Sequence, residues 1–457
     1  MVRKLFLNGG EESLISTRQE ALEDFSLRPV PADKRKSWVD ITMVWVGVAV
    51  VLSAMLRGMM VGSGLGSPGR VLLAYGLGEL ILIFLMSLTG YLGAKTGLST
   101  PLLAARTFGP HGSGIISFLL GIAFLGWFAV QSGLFAEAIM SYSPLPLPKA
   151  FISLGAGLLM MLPAVVGFRG LKALSWVAVP PMLAVFFYAA AKVGTHFLPR
   201  EELMALVQAR QPALYQLSLG EAASLVAGGF IVGAVTAADI FRYARPRWRE
   251  IALAASIAMV VSALMQLVGS VLALSTGLTH DQLPRVLISP EFAGLGFFGF
   301  LAIALAQWTT NDSNLYSSVL AFNKLLPFRR WKLAVGLGVF ASVLAAAGIL
   351  TRLSLFLSIL AVACGPVGGI LVVDHYFVPR QRSLPEMASS RKKMNFNWLA
   401  LTAYFLATLV GWLTSGHPWS LRVFPFSIFA FNGILAGGIF YGLGWLFLGS
   451  RKRAWGQ

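Results

Sequence analysis

The stretch Ile41–Val61 reads ITMVWVGVAVVLSAMLRGMMV, and its composition decides the class of fold. It is mostly apolar over the length, about 20 residues, that a helix needs to cross the hydrocarbon core of a bilayer. A second stretch, Leu219–Phe241, reads LGEAASLVAGGFIVGAVTAADIF and has the same character. Glycine interrupts both, at Gly47, Gly58 and Gly62 in the first and at the pair Gly228-Gly229 and Gly233 in the second. Paired interrupted helices are typical of transporters with a binding site at the midplane, although glycine also serves close packing of membrane helices.

The rest of the chain shows the same preference for lipid. Of its 457 residues, 56% are hydrophobic and 12% are charged, whereas soluble domains carry roughly 25% charged residues. We therefore predict an all-α membrane protein with twelve transmembrane helices. The twelve segments are Ile41–Val61, Gly69–Gly93, Ser113–Met140, Ala150–Gly167, Ala173–Phe197, Leu219–Phe241, Ile251–Thr276, Ala293–Phe322, Trp331–Leu350, Leu353–Val378, Asn397–Thr414 and Phe424–Leu448.

The net charge of +17 reflects how Lys and Arg are distributed between the two sides of the membrane, and it does not indicate a nucleic-acid partner. Lys and Arg concentrate in alternate connecting segments, such as residues 242–250 and 379–396, and in both terminal tails. The positive-inside rule then places both termini in the cytoplasm. The polar residues 1–40 lack the apolar core of a removable signal peptide. We expect a multi-pass protein of the cytoplasmic (inner or plasma) membrane, in contact with lipid, with neither nucleic acid nor an obligate protein partner.

Nothing in the sequence favours catalysis. The one cysteine, Cys364, lies in an apolar run and is interpreted as a small buried residue. The five histidines lie in loops or near the ends of segments, and motifs for nucleophilic, zinc or phosphate chemistry are absent. We therefore expect no enzyme, no cofactor and no metal site beyond that of an alkali cation.

Polar residues inside the third segment point to a ligand. Trp127 and Gln131 are four residues apart, so they share one face of a helix. An indole ring beside a carboxamide suits a flat heteroaromatic solute, because the ring stacks while the amide binds its edge. The alternative is a packing tryptophan next to an interhelical hydrogen bond.

The eighth segment carries a dense polar run, Gln307–Asn314, in the middle of an apolar helix. Such residues are costly in a membrane and tend to mark function. The adjacent hydroxyls of Thr309 and Thr310 are hard oxygen ligands suited to an alkali cation. Glu79 is a candidate for proton coupling or for a supporting contact. Asp239 is a further candidate, although Arg242 three residues on could simply pair with it.

Taken together, four motifs resemble the nucleobase–cation symporter family, and bacterial cytosine permeases look nearest. The motifs are Gly90–Leu98 (GYLGAKTGL), Gly126–Phe128 (GWF), Asp239–Tyr243 (DIFRY) and Trp308–Asp312 (WTTND). The resemblance implies two inverted five-helix repeats plus two extra helices, working by alternating access. The corresponding division is 1–40 as amino-terminal tail, 41–197 and 219–378 as the repeats, 397–448 as the extra helices and 449–457 as carboxyl-terminal tail.

The resemblance also implies roles for individual residues. The substrate ring would stack between Trp127 and Phe230, with main-chain contacts at Gly229, while Asn311 would contact substrate or stabilise the site. The cation ligands implied are carbonyls of Gly47, Val50 and Ala306 and the hydroxyls of Thr309 and Thr310.

Three positions depart from the cytosine permease pattern. Phe124 stands where those proteins carry a Gln, Ala306 where they carry an Asn, and Val51 where they carry an aromatic residue. Conversely, Gln131 matches a substrate-facing Gln of the hydantoin transporter. We therefore expect a symporter of a cytosine-, purine- or pyrimidine-like ring, coupled to Na⁺ or H⁺. The first alternative is a carrier of hydantoin- or allantoin-like compounds. The second, ranked below it, is a carrier of amino acids, whose carboxylate needs a positive charge at the site that only Arg57 could supply.

Overall fold

The computed structural model describes residues 25, 28–143, 145–162, 168–195, 197–210, 217–278, 280–378, 396–415 and 428–454. The predicted tails 1–40 and 449–457 lie partly outside these residues. No β-strand forms in the described part of the chain, where an isolated bridge joins Lys36 to Ala244. The α-helices are α1 Trp38–Ala49, α2 Leu52–Leu65, α3 Pro68–Thr96, α4 Thr100–Phe108, α5 Gly112–Tyr142, α6 Lys149–Met160, α7 Phe168–Val193, α8 Arg200–Arg210, α9 Leu219–Gly228, α10 Ile231–Val235, α11 Ala238–Phe241, α12 Trp248–Thr276, α13 Leu283–Ile288, α14 Gly296–Asn323, α15 Arg330–Ala346, α16 Leu353–Tyr376, α17 Trp398–Leu413 and α18 Phe429–Ala454.

The predicted all-α membrane class is confirmed. Within the described ranges, six helical stretches are long and apolar enough to cross a membrane, and α1 with α2 forms a seventh as a pair bent by 54°. Three shorter apolar helices, α6, α9 and α17, also lie on predicted segments. The positions of the helices agree with twelve crossings, and that number stays a prediction.

Both interrupted helices break, but the first does not break at a glycine. Its axis turns at Val50 and Val51, whose backbone leaves the helical region with ψ angles of 79° and 147°. In the second helix, α9 ends at Gly228, and Phe230 has φ −128° and ψ 3° before α10 begins. The glycine interpretation therefore holds for the second break and was wrong for the first.

The glycines of α2 serve packing instead. A Cβ atom built on Gly58 would overlap the main-chain carbonyl of Gln266, and one built on Gly269 would overlap the main chain of Met55. The two backbones thus approach each other directly, as small residues allow in membrane helices. Residues Met55 to Gly58 are held against α12 by this contact.

The interior of the bundle is formed by α5 and α14, which pack along each other. The outer face of α3 exposes Leu80 and Phe84, which are 63% and 68% accessible. Large exposed apolar side chains of this kind suit lipid and not water. The predicted segment Trp331–Leu350 ends early, because α15 stops at Ala346 and Gly348 takes a left-handed φ of 84°.

Candidate functional site

A cavity lies where the breaks of the two interrupted helices face α5 and α14. The first interrupted helix lines it with residues on both sides of the break at Val50 and Val51. The lining consists of Trp45, Val48, Val51, Ser53 and Arg57, then Phe124, Trp127 and Gln131, then Gly229, Phe230, Val232, Gly233 and Thr236, and finally Thr310, Ser313, Asn314 and Ser317. Six of the predicted substrate residues are among them: Val51, Phe124, Trp127, Gln131, Gly229 and Phe230.

Aromatic side chains hold the two predicted stacking residues in place. Phe356 meets Trp127 edge-on, with ring centroids 5.4 Å apart and planes at 74°. Trp45 packs against Phe230 at 5.9 Å and 53°. Such tilted and edge contacts are the favoured geometry between aromatic rings. A Cβ atom on Gly126 would lie only 2.6 Å from the Phe356 ring, so this glycine makes room for the aromatic support.

Gln131 has an oriented amide with one unused oxygen. Its Nε2 donates to Ser53 Oγ at 3.0 Å, which ties α5 to α2 beside the cavity. Its Oε1 is buried and has no hydrogen-bond partner among the described residues. A buried acceptor without a partner is costly. The arrangement therefore suits a ligand that brings an N–H group to Gln131.

Asn311 lies outside the cavity lining, unlike Asn314 one turn later. Asn311 Nδ2 lies 3.1 Å from the carbonyl oxygen of Phe128 and 3.1 Å from Ser132 Oγ, so it points at α5. Its Oδ1 accepts a weak hydrogen bond from Asn314 Nδ2 at 3.4 Å. The geometry thus gives Asn311 a contact that joins α14 to α5, while Asn314 lines the cavity.

A cluster of oxygens joins the end of α1 to the middle of α14. Thr309 Oγ1 lies 3.1 Å from the carbonyl oxygen of Gly47 and 3.0 Å from that of Ala306. Thr310 Oγ1 lies 3.4 Å from the carbonyl oxygen of Val48 and 3.1 Å from that of Ala306. Carbonyls at the end of a broken helix, together with hydroxyls, are the ligands that transporters use for Na⁺.

Four of the five predicted cation ligands meet in this cluster: Gly47, Ala306, Thr309 and Thr310. Val50 caps α1 at the break, and its carbonyl accepts no hydrogen bond from these hydroxyls. The carbonyl oxygen of Val48, which was not predicted, lies beside Thr310. Ala306, which was also predicted to face substrate, belongs to this cluster and not to the lining of the cavity.

The two predicted acidic candidates lie away from the cavity lining. Glu79 Oε1 accepts from Gln266 Nε2 at 2.7 Å, which links α3 to α12. Asp239 Oδ1 accepts from the main-chain N–H of Thr100 at 2.7 Å. Arg242 reaches Asp239 through its main-chain carbonyl, at 3.1 Å from Nε. The predicted pairing of Arg242 with Asp239 thus includes a hydrogen bond to the backbone of Asp239.

Several lining residues were not predicted from the sequence, and for three of them the sequence contains a usable signal. Ser313, Asn314 and Ser317 share the face of Thr310 at helical spacing, so the periodicity of α14 could have identified them. Trp45 and Ser53 lie on either side of a break whose position the glycines did not reveal. Among the described residues, no group of three His, Cys, Asp or Glu side chains is placed to hold a metal ion.

Comparisons with known proteins identify relatives over most of the chain. The chain is 32% identical to the cytosine permease of Escherichia coli strain K12 over 92% of its own length and 93% of that protein. It is 24% identical to the hydantoin permease of Microbacterium maritypicum, covering 82% and 81% of the two chains. Its fold is similar to that of a nucleobase-cation-symport-1 family transporter solved in a closed conformation with bromovinylhydantoin bound, with TM-score 0.74, 19% identity, and 91% and 94% of the chains covered.

The family model described as a permease for cytosine/purines, uracil, thiamine and allantoin matches residues 29–435. These relatives are permeases, in agreement with the expectation that the chain is not an enzyme. The chain is therefore an integral membrane protein that belongs to this family of permeases.

Proposed function

We propose that this chain is a secondary active symporter that imports a nucleobase or a related flat heterocycle together with a cation. One observation carries the proposal: Val48 and Thr310 belong both to the cavity and to the oxygen cluster. A solute in the cavity and a cation in the cluster would share these two residues. Each ligand would then order the site for the other, which is the physical basis of coupled binding.

The solute we propose is flat and heteroaromatic. Trp127 and Phe230 line the cavity, and their rings pack against Phe356 and Trp45 respectively. Gln131 Oε1 offers an acceptor to one edge of the ring. The names of the relatives, a cytosine permease and a hydantoin permease, support the same class of solute. A hydantoin- or allantoin-like ring is the alternative within this class.

For the cation we propose Na⁺, with H⁺ as the alternative. The oxygen cluster consists of neutral carbonyls and hydroxyls, which suit an alkali cation. Among the described residues, the carboxylates of Glu79 and Asp239 lie outside this cluster and already accept hydrogen bonds. Glu79 and Asp239 stay the candidates for proton coupling.

For the topology we propose two inverted repeats, 41–197 and 219–378, followed by two further helices at 397–448. The breaks at Val51 and at Phe230 support this division, because they fall in the first helix of each proposed repeat. Both termini are placed in the cytoplasm by the positive-inside rule. Alternating access would then move one part of the bundle against the other around the central site.

A screen of the purified full chain tests the proposal. Its melting temperature is measured in detergent with cytosine, purines, uracil, hydantoins, allantoin and amino acids, each in NaCl or in choline chloride. A ligand that binds only the folded state raises the melting temperature. We expect a flat heterocycle to raise the melting temperature, and to do so at a lower ligand concentration in NaCl than in choline chloride. A rise in melting temperature with amino acids alone would overturn the proposal. A separate counterflow assay in proteoliposomes distinguishes a carrier from a channel.

A further inference from the structure

Arg57 is a buried cation without a partner in the wall of the cavity. Its side chain is 2% exposed and lines the cavity. Among the described residues it makes no hydrogen bond, and its buried Nε is without a partner. Buried polar groups are otherwise almost always hydrogen-bonded, and a charged one is costly to leave unpaired. A ligand in the cavity would supply the missing acceptors.

The other fully buried arginines follow the usual pattern. Arg242 donates to the carbonyl oxygen of Phe25 at 2.7 Å and to the hydroxyl of Tyr316 at 2.8 Å. Arg330 lies over the ring of Tyr316, with 5.2 Å between its Cζ and the ring centroid. Arg242 and Arg330 thus each have a partner among the described residues, although Arg330 Nε, like Arg57 Nε, is buried without a hydrogen-bond partner.

A glycine holds Arg57 in position. A Cβ atom built on Gly229 would overlap Nε, Cδ and Cζ of Arg57, so the guanidinium occupies the space of the missing side chain. Gly229 lies directly after α9, where a helix end attracts positive charge. If Arg57 served only that helix end, it would donate to the last carbonyls of α9, and within the described residues it makes no such bond.

The neighbouring acid does not neutralise Arg57 by contact. Glu79 lies near enough to act on Arg57 electrostatically. The hydrogen bond of Glu79 Oε1, however, comes from Gln266 Nε2 at 2.7 Å. Within the described part of the chain, Arg57 and Glu79 form no ion pair. Glu79 thus partly balances the charge of Arg57, while the N–H groups of the planar guanidinium stay available to a ligand.

Resting on the proposed function, we infer that Arg57 selects heterocycles with a carbonyl oxygen and an unprotonated ring nitrogen side by side on one edge. A guanidinium donates two parallel hydrogen bonds to such an edge, as arginine does to O6 and N7 of guanine. Hypoxanthine offers this pair at O6 and N7, and cytosine at O2 and N3. In adenine an amino group replaces the oxygen, so donor would meet donor. Gln131 Oε1 takes an N–H on another edge of the ring.

Two matched pairs of ligands test this inference by calorimetric titration of the full chain in detergent with NaCl. The pairs are hypoxanthine with adenine, and cytosine with 2,4-diaminopyrimidine. In each pair the second member carries an amino group in place of the oxygen and lacks the N1–H beside it, so the response of the preference to substitution of Arg57 is what assigns the preference to this residue. We expect the wild-type chain to bind the oxo member of at least one pair about 5- to 150-fold more tightly. Arg57→Met should abolish this preference. It should lower the affinity for the oxo ligand and leave the affinity for the amino ligand within about threefold of the wild-type value.

Two further variants separate recognition from folding. Gly229→Ala keeps the charge of Arg57 but displaces its guanidinium, so it should reduce the preference for the oxo ligand as Arg57→Met does. Arg57→Lys keeps a positive charge but lacks the two parallel N–H donors of a guanidinium, so it should retain only part of that preference. An equal loss for both members of a pair, with a lower melting temperature of the ligand-free protein, would assign Arg57 a structural role and overturn the inference.

The inference and the proposed function fail in distinguishable ways. If the wild-type chain binds flat heterocycles but shows no preference within either pair, or if Arg57→Met preserves the preference, only the inference is lost. If the wild-type chain binds no flat heterocycle, both are lost.

Discussion

The hydroxyl of Thr309 donates to the carbonyl oxygen of Gly47 at 3.1 Å, across 262 positions of the chain. This contact joins the middle of α14 to the last residues of α1, directly before the break at Val50. Thr310 makes the parallel contact to Val48 at 3.4 Å and also faces the cavity. The broken helix and the polar run of α14 therefore meet in one place.

Removing both hydroxyls should remove cation dependence. In the variant Thr309→Ala/Thr310→Ala, a cation loses two hard oxygen ligands, so we expect its apparent affinity to fall at least about tenfold. The measurement is the shift of melting temperature with ligand, titrated in NaCl against choline chloride. Thr414→Ala is the matched control, since its hydroxyl also bonds a carbonyl of its own helix, at 2.9 Å from Val410 O. Normal Na⁺ dependence of the double variant would refute the cation site.

Trp127→Ala should weaken ligand binding while the protein still folds. Stacking of a base on an aromatic ring contributes ~1–3 kcal/mol, which corresponds to about a 5- to 150-fold loss of affinity. Trp127→Phe keeps a ring and should restore part of the loss. Trp398→Ala removes a tryptophan that is 66% exposed and should leave binding unchanged. Binding is measured by titration and transport by uptake into proteoliposomes, and undiminished uptake by Trp127→Ala would remove this residue from the site.

Asn311 and Asn314 should separate stability from binding. Asn311→Ala removes the contacts to Phe128 and Ser132 that join α14 to α5, so we expect a loss of about 0.6–2 kcal/mol of stability, the range for interhelical hydrogen bonds in membranes. Asn314→Ala removes a cavity side chain and should lower ligand affinity more than stability. Melting temperature without ligand and affinity are measured for both variants. If Asn311→Ala lowered affinity more than stability, and Asn314→Ala lowered stability more than affinity, Asn311 would be the residue that contacts the ligand.

Gly58→Ala should disrupt the bundle, because its methyl group would overlap the main chain of Gln266, which cannot move as a side chain can. We expect a large fall in folded, monodisperse protein on size-exclusion chromatography. Gly336→Ala is the matched control, since a Cβ atom at Gly336 in α15 meets nothing within 4 Å. A folded Gly58→Ala protein with unchanged melting temperature would contradict the close contact of α2 with α12.

Helical periodicity explains why part of the site was predictable. Trp127 and Gln131 lie four residues apart, so their shared face follows from the helix alone, and both line the cavity. The same period relates Thr310 to Asn314 and Ser317. Periodicity could not tell which face of α14 meets the cavity, and so it left open whether Asn311 contacts the ligand or stabilises the site, as its contact to Phe128 suggests.

The sequence by itself determined the class of the protein, since an apolar chain with 12% charged residues has lipid as its solvent. It also determined the helical segments and the hydroxyl pair of Thr309 and Thr310. Only the tertiary structure decided that α1 breaks at Val50, that Val48 joins the oxygen cluster, and that Arg57 faces the cavity against Gly229. The physical reason is that helix formation depends on neighbours in sequence, whereas the rotation of each helix depends on packing against residues far away in the chain.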